Sequence, residues 1–385
     1  MPIVSSSRRA ALRRRLLSWW DAGHRDLPWR FPQHDADPYR VWLAEVMLQQ
    51  TQVAAVIPYY RRFVERFPSL TTLAAAGEEE VLALWSGLGY YARGRRLHAA
   101  ARAALARHGG LPADAVALRA LPGFGAYTVG AVASIAFALP EACVDGNVAR
   151  VLTRLGLLEG APESPAVRDA LWALARELVD PLRPGDWNQA LMELGALVCV
   201  KPAPRCERCP LARLCRARRS GRERDVPPAR ARRASELLHL ACAVLERGGD
   251  LLVARRPPGG LFGGMWELPS IEVAGGADAR RQLRAALAAR GLSAAVGPEV
   301  LRVERVLTHR RLVLAAHRCS VAGVAPEGEH LRFAAPAELA VLPIPTAVRR
   351  LLEALPRRTR DRAGARSTGS GALRNLAVGN GTDFD

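Results

Sequence analysis

The 385-residue sequence contains one lysine, Lys201, so nearly all of its basic charge is carried by arginine. An enzyme that attacks its substrate with an amine therefore has almost no candidate nucleophile here. Long apolar runs are also lacking, since the longest, residues 131–140, is too short to span a bilayer. No secretory core follows the N-terminal arginines. We expect a soluble, cytoplasmic protein without a membrane partner.

Acidic residues are outnumbered by basic ones, 37 against 55, which gives a formal net charge of +18 at pH 7. Such a charge indicates a polyanionic partner, and composition alone leaves both nucleic acid and an anionic membrane surface open. The length and the 49% apolar content fit two domains with sizeable cores.

Apolar spacing divides the chain into two parts. Intervals of three and four residues between about 10 and 215 predict helices over 39–53, 78–86, 95–107, 128–138, 147–155 and 166–179. Residues 216–235 are rich in Arg, Pro and Ser, which suggests a linker. Strands over 237–245, 251–254, 300–306 and 312–319, with a helix over 279–290, predict an α+β second domain. The predicted divisions are 1–219, a basic linker 220–236, a domain 237–355 and a disordered tail 356–385.

Four of the seven cysteines lie close together with the spacing C-x6-C-x2-C-x5-C. Four thiolates can hold either zinc or an iron–sulfur cluster, and the spacing alone leaves these two nearly even. Disulfides are disfavoured by the expected intracellular setting. The candidate metal ligands are Cys199, Cys206, Cys209 and Cys215.

Residues 121–126, LPGFGA, join two helical patterns through a tight turn. Gly123 and Gly125 permit positive φ angles and leave N–H groups exposed at a helix N-terminus, where they can bind phosphate without reading sequence. Turns of this kind also connect helices without any ligand, so this signal is weak alone.

Two carboxylates have unusual settings. Asp145 directly precedes a predicted helix, where an N-cap is the ordinary role. Glu45 is surrounded by apolar neighbours in VWLAEVML, and a carboxyl group shielded from water has a raised pKa. Paired carboxylates with different proton affinities suit the cleavage of a glycosidic bond.

The hairpin, Asp145 about twenty residues later and the four cysteines together resemble the helix-hairpin-helix base-excision glycosylases. Within that superfamily, PYRVWLAEVMLQQTQV at 38–53, WSGLGYYAR at 85–93 and WNQALMELG at 187–195 are similar to the MutY-type adenine DNA glycosylases. The resemblance implies a mainly α-helical domain with a 4Fe–4S cluster loop at 195–217, followed by an α+β Nudix-like domain.

This resemblance also implies roles for individual residues. Glu45 is expected to protonate adenine at N7 and handle the attacking water, while Asp145 stays ionised and stabilises the sugar cation. Because the apolar helix raises the pKa of Glu45 and a helix N-terminus favours an anion at Asp145, the two environments should push in opposite directions. Tyr127 and Asn147 are expected to position Asp145 and water. The expected base-pocket and DNA contacts are Arg30, Leu48, Gln49, Gln50, Tyr90, Gly123, Gly125 and Gln189.

Related bifunctional glycosylases carry a lysine where this chain has Tyr127, which implies hydrolysis without efficient strand cleavage. In the second domain, residues 256–269 resemble the start of a Nudix-like domain, but no carboxylate occurs from 279 to 298 to hold magnesium. The resemblance implies a domain that recognises 8-oxoguanine, with Thr308 and His309 in the contacting loop and Leu307 in place of an aromatic residue.

The sequence thus predicts a monomeric, monofunctional glycosylase that acts on double-stranded DNA with adenine opposite 8-oxoguanine, and also opposite guanine. Two alternatives stay open. One is a pyrimidine-specific glycosylase with lyase activity, which Tyr127 disfavours. The other is a non-catalytic, cluster-bearing DNA-binding protein, which the presence of both Glu45 and Asp145 disfavours.

Overall fold

A computed structural model describes residues 4–32, 35–228, 235–273, 278–307, 310–321 and 327–356. The chain forms two compact units, one comprising Met1–Val81 and Arg93–Ala231 and the other Leu82–Ala92 and Arg232–Asp385. Within the described ranges, none of the helices has the length and apolar character that crossing a membrane requires. The predicted domain limits stay predictions, and the predicted tail lies outside the described residues from 357 onward.

The first part of the chain is helical, as predicted. Its α-helices are α1 Ser6–Ala22, α2 Pro38–Leu48, α3 Val53–Arg66, α4 Leu70–Ala75, α5 Glu78–Trp85, α6 Ala92–His108, α7 Ala115–Arg119, α8 Ala126–Phe137, α9 Gly146–Gly156, α10 Pro165–Leu178, α11 Pro184–Leu197 and α12 Arg216–Arg219. Short 3-10 helices span Cys206–Arg208 and Ala212–Leu214. One core packs α1, α9, α10 and α11 together through buried leucines and Trp187.

The prediction of one helix over 39–53 is wrong at residues 49–52, because α2 ends at Leu48 and α3 begins only at Val53. Between them Gln50 adopts φ +56°, which a continuing helix does not allow. The prediction joined the two helices because the helical spacing of apolar residues continues at Val53, which is the first residue of α3.

The linker interpretation of residues 216–235 is wrong at its start, where α12 forms. Ala217 is fully buried, and the Arg154 Nε donates a hydrogen bond to the Val226 carbonyl at 2.8 Å. The segment has few apolar residues, but those few are the ones that pack into the helical unit.

The second unit is α+β, as predicted. Its strands are β1 Glu236–Val244, β2 Glu246–Arg247, β3 Asp250–Arg255, β4 Trp266–Glu267, β5 Ser270–Glu272, β6 Ala294–Leu307, β7 Arg310–Val321 and β8 Leu331–Ala334. One sheet has the order β5-β1-β7-β6, with β1 and β7 parallel; the other joins β2, β3 and β4, and β8 pairs with β3. Helices α13 Ala279–Ala288, α14 Pro336–Val341 and α15 Thr346–Ala354 complete it.

The strand predicted over 300–306 begins earlier, at Ala294. Its register with β7 shifts between Val296 and Leu301, on either side of Glu299. Gly297 and Pro298 lie in this irregularity. They interrupt the alternation of apolar and polar residues from which the strand was predicted.

Candidate active site

Glu45 lies on α2 with its side chain turned into the protein. The helix starts at Pro38, after Asp37 accepts a hydrogen bond from the Tyr39 N–H at 2.9 Å, and it is buried on nearly all sides. Only 6% of Glu45 is exposed, and the Tyr127 hydroxyl on α8 donates to its Oε2 atom. Burial raises the pKa of Glu45 to about 7, and the charge of Asp145 raises it further, whereas the Tyr127 hydrogen bond and Arg30 oppose the rise. A carboxyl group with such a pKa agrees with the expected role of Glu45 as the proton donor.

Asp145 is the N-cap of α9, as its ordinary role predicted. It accepts a hydrogen bond from the Val148 N–H at 2.7 Å and another from the Asn147 Nδ2 at 3.1 Å. Burial nevertheless raises the pKa of Asp145, against those hydrogen bonds and the charge of Arg150. The expectation of opposite environments is therefore wrong: burial raises both pKa values, and the carboxylates differ in the donors that favour the anion.

The structure brings Glu45 and Asp145 together, because each carboxylate stands within electrostatic reach of Tyr127 and the charge of Asp145 acts on Glu45. Asn147 holds Asp145, as expected. Tyr127 does not: its hydroxyl contacts Glu45 and, at 3.6 Å, the Met192 sulfur. The predicted role of Tyr127 is therefore corrected from holding Asp145 to holding Glu45.

Arg150 joins this site to the cysteine segment, and sequence reasoning missed it. Its Nη2 donates to the Asn147 Oδ1 at 2.8 Å and to the Gly195 carbonyl at 2.7 Å, and its Nε donates to the Cys199 carbonyl at 2.6 Å. The sequence signal that could have indicated Arg150 is its position three residues after Asn147 on the same helix, where two side chains can contact each other. Gly195 permits the contact, since a Cβ there would lie 2.6 Å from the Asn147 Cβ.

All four clustered cysteines are free thiols, and two of them, Cys199 and Cys215, contact Arg154. Arg154 is 2% exposed, and its Nη1 donates to the Cys199 Sγ at 3.2 Å. Burial raises the pKa of Cys209 to about 12, and neighbouring cysteines raise it further. Four sulfur donors fit an iron–sulfur cluster in kind, as they fit zinc. Across the described residues, however, no three or more His, Cys, Asp or Glu side chains are arranged to hold a metal ion.

The predicted hairpin is formed by α7, a tight turn and α8. Gly123 has φ +79°, and a Cβ there would lie 3.0 Å from the Arg96 Cβ. Gly125 does not use its freedom to adopt a positive φ, because it is extended at φ −77° and forms the N-cap of α8. Its missing side chain leaves the first N–H groups of α8 without a side-chain cap.

The end of α2 presents the other predicted DNA contacts of the helical unit. Gln50 is exposed, and the Gln49 Nε2 donates to the Thr128 Oγ1 at 3.3 Å. Arg93 holds this turn by donating to the carbonyls of Val46 at 2.9 Å and Met47 at 2.8 Å.

The remaining predicted residues have varied positions. Tyr90 belongs to the second unit, has φ +48° and is 40% exposed, as a loop residue should be. Leu48 and Gln189 are half-buried at the end of α2 and on α11. Arg30 is hydrogen-bonded to Glu193 at 2.9 Å. Thr308 and His309 lie outside the described residues.

The second unit contains a cavity of about 450 Å³ between β1, the end of β3 and β5. Two of its arginines are already paired, Arg256 with Glu267 at 2.7 Å and Arg310 with Glu236 at 2.8 Å. The helix α13, which follows β5 along the chain, carries no carboxylate.

Comparison with family models matches both parts of the chain. Residues 43–177 match the HhH-GPD superfamily of base excision DNA repair proteins, and residues 240–354 match the NUDIX domain. A solved structure of a thermostable thymine-DNA glycosylase is 30% identical, with a TM-score of 0.50 over 56% of this chain and 98% of its own.

Curated relatives match about two thirds of the chain. The adenine DNA glycosylase of Rattus norvegicus is 44% identical over 311 residues, which cover 68% of this chain and 60% of the relative. That of Schizosaccharomyces pombe is 35% identical over 321 residues, covering 68% of this chain and 69% of the relative. The chain spans about 60% of the length of the first mammalian relatives it matches.

Proposed function

Since the chain belongs to the adenine DNA glycosylase family, we propose that it hydrolyses the N-glycosidic bond of adenine in duplex DNA. The observation that carries this proposal is the meeting of Glu45 and Asp145, one a buried acid with a pKa of about 7 and the other a helix N-cap. We propose adenine opposite 8-oxoguanine as the preferred substrate, with adenine opposite guanine as a second one.

In this proposal the two carboxylates have different roles in the reaction. Protonated Glu45 gives its proton to N7 of the extruded adenine, so the base leaves as a neutral molecule. Ionised Asp145 stabilises the positive charge that develops on the sugar, an electrostatic contribution that is large in a site shielded from water. Glu45, now a carboxylate, accepts a proton from the water that attacks the sugar. Tyr127 orients Glu45, and Asn147 holds Asp145.

The test is a single-turnover excision assay with four duplexes that pair adenine with 8-oxoguanine, guanine, cytosine or thymine. We expect fastest excision opposite 8-oxoguanine, then opposite guanine. Excision of a pyrimidine with strand cleavage would favour the lyase alternative, and binding without excision would favour a non-catalytic protein.

We further propose that Cys199, Cys206, Cys209 and Cys215 bind a 4Fe–4S cluster. When bound, the cluster would cross-link the segment through its thiolates. Arg150 and Arg154 connect that segment to α9, the helix that begins after Asp145.

Iron and sulfide analysis of the purified protein tests the cluster. We expect roughly four iron atoms per chain, a loss of iron in Cys206→Ser, and full iron content in the control Cys319→Ser, whose thiol lies in the second unit. Zinc in place of iron, or equal iron in both variants, would contradict the assignment.

A further inference from the structure

Glu193 is a buried carboxylate on α11 that the mechanism above does not use. It is 1% exposed and accepts hydrogen bonds from two arginines. Arg25 donates from Nε at 2.8 Å, from Nη2 at 2.6 Å and from its backbone N–H at 3.1 Å, and the Arg30 Nη2 donates at 2.9 Å. Burial alone would raise the pKa of Glu193, but these donors outweigh it and lower the pKa to about 2. The group is therefore an anion at every working pH.

Arg30 is held on three sides. Besides Glu193, its Nη1 donates to the Arg25 carbonyl at 2.8 Å, and its guanidinium lies 4.7 Å from the centre of the Trp20 ring. A guanidinium has five N–H donors, and these two bonds leave others available to acceptor atoms of a ligand. A side chain fixed in this way loses little conformational entropy when it binds.

The fixed guanidinium stands near the acid. The charge of Arg30 acts on Glu45 and opposes its protonation. The residue before Glu193, Met192, contacts the Tyr127 hydroxyl, which donates to Glu45. Two arginines share one carboxylate, so the trio of Arg25, Glu193 and Arg30 keeps one excess positive charge close to the base pocket. Without the carboxylate, that excess would be two.

We propose that Glu193 is a positioning residue, which holds Arg30 beside Glu45 and compensates its charge so that Arg30 can bind the extruded base without displacing the proton Glu45 must deliver. This inference rests on the proposed function. Within the described part of the chain, the titratable groups that interact with Glu45 are Tyr127 from α8, Cys143 and Asp145 from the segment before α9, and Arg30 from the segment after α1. Only Arg30 among them contacts Glu193.

The test compares the pH dependence of single-turnover excision in the full-length protein and its variants. Glu193→Gln keeps the shape but removes the charge, so ionised Glu45 is favoured. We expect excision at pH 8 at least about tenfold slower than in the parent protein, because the basic limb of the pH–rate profile shifts to lower pH. The dissociation constant for the duplex should stay within about threefold of the parent value. Arg30→Gln should shift the basic limb the other way. The double variant should lie between the two.

Two further variants complete the design. Glu193→Asp keeps the charge and should restore most of the rate and the parent profile. Glu177→Gln is the matched control, because Glu177 also binds an arginine and a backbone N–H, those of Arg9 and Val4, away from the site. It should behave like the parent protein.

If Glu193 had a purely structural role, its substitution would move both the acidic and the basic limb of the pH–rate profile, or neither. It would also lower the melting temperature in step with the loss of excision rate. Unshifted limbs in both Glu193→Gln and Arg30→Gln, or shifts in the same direction, would overturn the inference. If Glu193→Gln does not fold, Arg30→Gln still tests the premise, because a basic limb that does not move upward in this variant would overturn the inference. The parent protein reports separately on the proposed function, and if it excises another base, the variants are compared on that base.

Discussion

At the scale of single residues, partners rather than burial distinguish the two carboxylates. Both Glu45 and Asp145 have raised pKa values because water is excluded from them. Asp145 accepts hydrogen bonds from the first turn of α9, which stabilise its anion. Glu45 has one hydroxyl donor and a neighbouring negative charge, so it is the group that retains a proton near neutral pH.

Tyr127→Phe tests this distinction. The Tyr127 hydrogen bond stabilises ionised Glu45, so its removal should raise the pKa of Glu45 above about 7. Since the protonated form is the active one, excision should persist to higher pH, with the basic limb moved upward by up to roughly one unit. Single-turnover rates measured from pH 5 to pH 9 (roughly the range where both forms occur) give the limb.

Tyr60→Phe serves as the control for that experiment, because Tyr60 is a buried tyrosine on α3 whose hydroxyl has no hydrogen-bond partner among the described residues. It should leave the profile unchanged. A basic limb that stays in place or moves downward in Tyr127→Phe would show that the hydroxyl does not control Glu45.

Much of this chemistry could be predicted from the sequence, because its signals are local. The apolar run around Glu45 indicated burial, and VDGN indicated an N-cap at Asp145. Glu193 and the links from Arg150 to Gly195 and Cys199 were missed since these partners are far away along the chain: Glu193 pairs with Arg30, 163 residues earlier, and Gly195 lies 45 residues after Arg150. Only the packing of α11 against its neighbours creates these contacts, and no local pattern encodes them.

At the scale of elements, the contact between α9 and α11 determines the geometry of the site. Gly195 lets α11 approach Asn147, and Arg150 bonds across the same contact. The sequence indicated both helices but not their closeness, since a glycine inside a helix has many explanations. The ends of elements were also hard to predict, as α2 and β6 show, because a turn at Gln50 and a register shift near Pro298 depend on tertiary neighbours.

Gly195→Ala should force α9 and α11 apart. Its Cβ would meet the Asn147 Cβ at 2.6 Å, and both helices must shift to relieve the overlap. We expect a loss of about 1–3 kcal/mol in the free energy of unfolding. We also expect slower excision, because a shift of Asn147 displaces Asp145, to which it is hydrogen-bonded. Chemical denaturation and single-turnover kinetics measure the two effects.

Gly110→Ala is the control, since a Cβ at Gly110 meets nothing within 4 Å. Stability and excision in Gly195→Ala equal to those of the control would contradict this account of the helix contact.

At the scale of the whole molecule, composition was informative about partner and reaction class. The net charge of +18 suits a polyanion, and residues 43–177 match a superfamily of base excision DNA repair proteins. Composition could not choose between zinc and an iron–sulfur cluster, because four sulfur donors suit either. That choice rests on resemblance and on the metal analysis described above.

The single lysine leads to a prediction for the whole chain. Lys201 lies in the cysteine segment and Tyr127 occupies the position beside Glu45, so we expect no efficient Schiff base with abasic DNA. Borohydride trapping on an abasic duplex should give little covalent adduct, with a lysine-dependent lyase as the positive control. Strong trapping that disappears in Lys201→Ala would contradict hydrolysis without strand cleavage.

The central claim is that Asp145 acts on the reacting nucleotide and not merely as a helix cap. Asn at the N-cap also accepts the Val148 N–H, so Asp145→Asn keeps α9 but removes the negative charge. The decisive measurement is single-turnover excision together with duplex affinity in this variant. We predict excision reduced by about 10²–10³-fold or more, with the dissociation constant for an 8-oxoguanine·adenine duplex nearly unchanged. Excision at close to the parent rate would contradict the account.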